Sequence, residues 1–179
     1  MMPEASNVYS LIYQQVKHIF SLFINHHMAN TFSQMYVHVV FAVQHRAALI
    51  DASWEEQLYK YITGIVQCKG QKMLAINGMP DHIHLFIGVK PDCRLSDLVR
   101  EIKKSSHDFI NESHFLKVKF NWQKGFGAFT YGQSQIDGVI HYVMNQKSHH
   151  SKTTFREEYL NLLRKFGVEF NEKYLFEWI

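Results

Sequence analysis

The spacing of apolar positions changes several times along the chain, and each change marks an element. "QMYVHVVFAVQ" (34–44) is dense in β-branched and aromatic residues and predicts a buried strand. "DASWEEQLYKYITGIVQCKG" (51–70) shifts to helical spacing, with Ser53 placed to cap, Glu56 three residues on and Gly70 as a stop. "QKMLAING" (71–78) and "HIHLFIGVK" (82–90) read as two strands of a hairpin joined by "GMPD", with an Asn77–Gly78 turn ending the first. "RLSDLVREIKKSSHDFINES" (94–113) is a helix whose stripe is Leu95, Leu98, Val99, Ile102, Phe109 and Ile110. "KGFGAFTYG" (124–132) predicts a fourth strand and "SQIDGVIHYVMNQKSHH" (134–150) another helix. "TTFREEYLNLLRKFG" (153–167) is a last helix or a pair of turns, before an aromatic tail.

The order β-α-β-β-α-β followed by helices predicts an α+β fold of the split βαβ, ferredoxin-like or RRM-like kind. It would have an antiparallel sheet with helices on one face and a further C-terminal helix carrying Tyr142. Residues 1–27 stand apart. Ile12, Val16, Ile19, Phe20 and Phe23 suit a short amphipathic helix packed on the domain. An upstream extension, with Met28 as the natural start of a domain over 28–179, fits equally well.

Composition adds modest limits. The chain has 179 residues, 46% hydrophobic and 20% charged, which suits one domain with a real core. A net charge of +3 permits a nucleic-acid partner without demanding one. Cys68 and Cys93 form no CxxC pair and suggest a reducing compartment. The early apolar stretch is interrupted by Gln14, Gln15, Lys17 and His18, so neither a membrane span nor a signal peptide is expected. The expectation is a cytoplasmic protein.

Chemistry concentrates in two places. His82 and His84 alternate with Ile83 and Leu85, so on a strand both imidazoles face one side, within reach of one metal ion. With 12 histidines in the chain, such a pair also arises by chance on a half-exposed strand. On the later helix, Ile136, Val139, Ile140, Val143 and Met144 form an apolar face, and Tyr142, Asn145, Gln146 and His149 lie nearly opposite. A solvated face would also carry these residues. Beside two imidazoles, however, a Gln amide oxygen completes a site suited to Mg or Mn, and a phenol can be a nucleophile.

"DHIHLFI" followed by "YVMNQKSHH", with "LVREIKKSS", "WQKGFGAFTYG" and "FREEY", resembles the HUH superfamily. More narrowly, the set is similar to the single-tyrosine transposases of the IS200-like type and to their domesticated relatives associated with repeated palindromes. The resemblance runs from Met28 to Ile179. It implies a metal pair at His82 and His84, a third ligand at Gln146 and a nucleophile at Tyr142. The reaction implied is cleavage and rejoining of single-stranded or hairpin DNA through a 5′-phosphotyrosine, in a homodimer whose tyrosine can act in trans. On DNA the protein would be nucleoid-associated.

Arg100, Lys103, Lys104 and Lys124, interleaved with aromatics, are candidate DNA-binding residues, although a solvated helix face also explains them singly. A histidine-triad hydrolase is disfavoured because Phe86 stands where its third histidine would be. A non-catalytic DNA-binding relative of the same fold is also compatible with these residues. So is a structural metal site, which would call for zinc.

Overall fold

The computed structural model describes residues 32–171 and 175. The chain divides into Met1–Phe32 and Ser33–Ile179, and the fold below belongs to the second unit. The expected N-terminal helix and the Met28 start lie outside the described residues, as does most of the aromatic tail.

Four strands form one antiparallel sheet: β1 (Met35–Ala42), β2 (Lys72–Met79), β3 (His82–Val89) and β4 (Gly127–Tyr131), in the order β2-β3-β1-β4. Helix α1 (Glu55–Cys68) connects β1 to β2, and α2 (Leu95–Glu112) connects β3 to β4. This is the ferredoxin-like α+β arrangement that the element order implied.

Period-two alternation in β1 and β3 sorts their side chains onto two faces. Val37, Val39, Phe41, Ile83, Leu85 and Ile87 face Leu58, Ile62 and Val66 of α1 and Leu98, Val99, Ile102 and Ile110 of α2. These residues form the main core, and each large side chain buried there contributes about 1.5–3 kcal/mol. The other face carries His38, Val40 and Ala42 from β1 and His82, His84 and Phe86 from β3. Three C-terminal helices follow β4: α3 (Ile136–Met144), α4 (Gln146–His149) and α5 (Phe155–Lys165). Val139 and Val143 of α3 pack on Ala75 and Phe86. Phe155, Tyr159, Leu162 and Leu163 of α5 pack on Val40, Ala42 and Phe129. The sheet is therefore covered on both sides, and the histidine face lies beneath the C-terminal helices.

Local chemistry overrides three sequence expectations. Asn77 and Gly78 lie inside β2, and the hairpin turns at Pro80–Asp81 instead. Gly78 answers a close approach rather than a turn: a Cβ there would sit 2.3 Å from the His82 carbonyl oxygen and 2.9 Å from Ile83 Cα. Ser53 does not cap α1. Its backbone N and its Oγ both donate to Asp51 Oδ1, at 2.9 and 2.6 Å, and Trp54 takes the cap position.

The helix expected over 134–150 is broken at Asn145. Its amide donates to the His141 carbonyl at 2.8 Å, while Asn77 Nδ2 donates to the Met144 carbonyl at 2.7 Å. Side-chain amides thus hold the end of α3, Met144 is left 55% exposed, and Gln146 is fully buried. Helix α5 is continuous and starts at a reciprocal Thr154–Glu157 capping box.

Candidate metal and nucleophile site

The site is assembled on the histidine face of the sheet. Strand β3 supplies His82 and His84, both essentially buried. His82 Nδ1 lies 2.6 Å from Asp81 Oδ1, and the other Asp81 oxygen is bound by Arg46. His84 Nδ1 lies 2.9 Å from His38 Nε2, which β1 places on the same face. His150, just after α4, points Nε2 to 3.0 Å from His82 Nε2 and rests Nδ1 2.9 Å from the Thr153 carbonyl.

Helix α5 completes the site with Glu158. One carboxylate oxygen, Oε2, is 3.1 Å from His150 Nε2, 3.4 Å from His84 Nε2 and 4.0 Å from His82 Nε2. The other, Oε1, accepts from the Tyr142 hydroxyl and, at 3.0 Å, from Gln146 Nε2. One ligand atom from each of His82, His84, His150 and Glu158 lies within 4.8 Å of the others. These residues could hold a metal ion. The polar atoms support this fit: His84 Nε2, Glu158 Oε2 and Gln146 Oε1 are buried without a hydrogen-bond partner. Buried polar atoms left without a partner are costly, and a bound ion is one way of satisfying those that can accept.

Electrostatics centre on the same carboxylate. Burial pushes the Glu158 carboxyl up, but His84, His150 and Tyr142 outweigh it and hold the group well below the usual carboxylate range. Burial lowers His82 to about 3 against the opposing pull of Asp81. Burial, with His84 beside it, holds His38 well below an ordinary imidazole. His82 and His38 are therefore neutral at pH 7, the state in which imidazole ligates. Burial, reinforced by Glu158, raises the Tyr142 phenol far above its ordinary value, so it is kept protonated.

Tyr142 is half-buried at the end of α3. Its ring lies 5.8 Å from that of His38, 6.1 Å from His84 and 5.4 Å from His149. It also lines a cavity of about 540 Å³ together with Tyr131, Val139, Glu158, Leu162 and Lys165.

The structure therefore brings His82, His84, Gln146 and Tyr142 together around one carboxylate. It does not bring Arg100, Lys103 and Lys104 there. They lie on α2, whose apolar stripe packs on the opposite face of the sheet. Lys103 Nζ donates to the carbonyls of Gln123 and, at 2.8 Å, Gly125, and burial lowers its amine to about 8. Arg100 pairs with Asp97 at 2.9 Å, and Lys104 and Lys124 are exposed.

The chain from residue 31 to residue 146 matches the family described as Transposase IS200 like. The chain belongs to that family. Among solved structures, it is similar to a provisionally named transposase from Deinococcus radiodurans R1, with 20% identity and a TM-score of 0.55. That likeness covers 66% of this chain and 95% of the other. It is also similar to a REP-associated tyrosine transposase bound to a REP hairpin, at 16% identity and TM-score 0.54, over 73% of this chain and 76% of that one. Both likenesses show the fold. No curated protein matches the chain.

In this IS200-like transposase chain, His82, His84, Tyr142 and Gln146 fall within the family match, whereas His150 and Glu158 lie beyond its end. The sequence pattern had not singled out His38, His150 or Glu158. A signal existed for two of them. His38 is polar within an otherwise apolar strand, and Glu158 sits between Phe155, Tyr159 and Leu162 in the apolar stripe of its helix.

Proposed function

We propose that this chain is a transposase that cleaves and rejoins single-stranded or hairpin DNA, with Tyr142 as nucleophile. The observation that carries this reading is the Tyr142 hydroxyl bonded to a carboxylate whose second oxygen sits among three imidazoles. The phenol oxygen forms a bond to phosphorus as the P–O3′ bond breaks. The phenol gives up its proton, the 3′ oxygen takes one up to leave as a 3′-OH, and the 5′ side stays on the tyrosine. The reverse attack by a 3′-OH rejoins strands with no other energy source, because the phosphoester bond is conserved.

Glu158 Oε1 orients the phenol by accepting its hydroxyl hydrogen, and Gln146 Nε2 donates to the same oxygen. His82 and His84, with the partnerless Gln146 Oε1 as third ligand, and His150 and Glu158 alongside, would hold the divalent ion, Mg or Mn. When bound, such an ion neutralises charge on the phosphate oxygens and stabilises the leaving oxygen. The cavity beside Tyr142 gives the flanking nucleotide room to approach.

The reading extends to a transposase domain over 28–179 with 1–27 as an extension, a homodimer, and a cytoplasmic, nucleoid-associated protein. A tyrosine acting in trans is part of the family resemblance. Within this chain Tyr142 already meets Glu158, which supports completion in cis. Among the described residues, no helix is long and apolar enough to cross a membrane.

The test is to incubate the protein with labelled single-stranded hairpin DNA and Mg or Mn. A covalent adduct that Tyr142→Phe does not form is expected. An adduct retained by the variant would implicate another nucleophile, with Tyr131 next. No adduct from the parent with either ion would leave a non-catalytic DNA-binding protein.

A further inference from the structure

Helix α3 carries an exposed glycine, Gly138, although glycine is the poorest helix former after proline. Its backbone is ordinary helix, not the left-handed kind that calls for glycine. A Cβ built on it would meet no atom within 4 Å, so no close approach excludes a side chain. Packing and backbone geometry thus leave this glycine unexplained. It lies four residues before Tyr142, one turn away on the same helix face.

That bare surface is where two cavities meet. One is the cavity of about 540 Å³ walled by Tyr131, Val139 and Leu162 and also lined by Lys165. The Lys165 ammonium lies 5.9 Å from the centre of the Tyr131 ring. The other, of about 390 Å³, is lined by His141, Asn145, Ser148 and Lys152. The two share Gly138, Tyr142, His149 and Thr153. A third cleft, of about 740 Å³, continues from Lys152 and Thr153 along α5 to Arg156 and Arg164. Its one acid, Glu157, is engaged in the helix cap, where Oε2 accepts from Thr154 N at 2.9 Å and Thr154 Oγ1 at 2.8 Å. Beside the proposed nucleophile, therefore, an aromatic-walled apolar cavity leads past Tyr142 into a basic cleft.

We propose that this groove carries single-stranded DNA across Gly138 and Tyr142, with one base seated against Tyr131, Val139 and Leu162 and the phosphates met by Lys165, Lys152 and Arg164. The inference rests on the single-strand substrate proposed above and adds the surface that takes it. An apolar cavity with an aromatic wall suits the face of a base, and cations along a groove suit the phosphates between bases. A duplex keeps its bases stacked inside and has none to lend to such a cavity. Gly138 then has a reason: any side chain there would stand in the groove, one turn from the reacting oxygen.

The experiment is fluorescence anisotropy of a labelled oligothymidylate of about 12 nucleotides, within the usual span of a single-strand site, with the full chain in chelator. Gly138→Leu is expected to melt at or above the parent temperature, because it removes a helical glycine. It should bind at least roughly tenfold more weakly, the worth of one lost stacked base. Gly138→Ala, which gains the helix stability with a single methyl, should bind closer to the parent. Lys152→Gln, Arg164→Gln and Lys165→Gln together should lower the salt slope by as much as about 2, at about 0.7 for each single-strand phosphate contact.

Parental binding by Gly138→Leu overturns the proposal. So does a parental salt slope in the triple variant, or a parent that binds no oligothymidylate. If Gly138→Leu fails to fold, the triple variant still decides. A parent that binds as expected but forms no covalent adduct with Mg or Mn would sink the catalytic reading while leaving the path of the strand on α3 and α5.

Discussion

At the scale of single residues, the site turns on Glu158. It is 3% exposed and touches the proposed nucleophile, one proposed ligand's amide and the imidazoles. Glu158→Gln keeps the shape but removes the charge. We expect it to fold and to lose at least roughly tenfold in Mn affinity by calorimetry, the scale set by losing even an outer partner of a ligand. Unchanged affinity would exclude the carboxylate from the ion site. Tyr142→Phe loses a hydrogen bond to a charged group in a half-buried place. It should cost about 1–2 kcal/mol in urea denaturation, more than a solvated tyrosine on a helix face would. A loss near zero would mean that the Tyr142–Glu158 bond contributes nothing to the fold. The strand pair His82–His84 was legible because period two is rigid. Glu158 was not, because a carboxylate inside an apolar helical stripe is ordinarily a reason to doubt the stripe.

At the scale of elements, strands and helices followed their periods, and the errors fell where a side chain or a close approach competed with the pattern. Asn145 is one such place: a helix-compatible sequence ends early because amides from Asn145 and Asn77 take the carbonyls. Across the break Gln146 still reaches the Glu158 oxygen that Tyr142 bonds, as their spacing of four implies, but it is buried there rather than on a solvated face. Gly78 is another. The signal "NG" is a good turn marker, yet here it marks two strands pressed together just before His82. Gly78→Ala forces its Cβ onto backbone atoms that cannot swing away. It should cost about 1–3 kcal/mol and reduce Mn affinity, because His82 and Asp81 move with the turn. A variant with parental stability and parental Mn binding would show that the hairpin gives way without disturbing the site.

At the scale of the whole molecule, the sheet separates two surfaces. The proposed chemistry lies under α3, α4 and α5, and the basic residues of α2 lie on the opposite side. DNA that used both would have to pass around an edge of the sheet. Neutralising Arg100, Lys104 and Lys124 together should weaken hairpin binding and lower its salt slope by as much as about 2–3, with Mn affinity unchanged. An unchanged salt slope would place the DNA path elsewhere. The gathering of His82, His84, His150 and Glu158 has a consequence for the melting of the protein itself. A cation held by those side chains would bind the folded chain and have no such cage to enter in the unfolded one, so occupancy and stability would be linked. At a hundredfold excess of Mn over its dissociation constant the gain is about 2.7 kcal/mol, worth about 5–10 °C in midpoint for a chain of this size. A chelator should return the midpoint to its starting value, and a curve indifferent to Mn would mean the cage does not fill. Where it does fill, the unfolding temperature serves as a gauge of free ion.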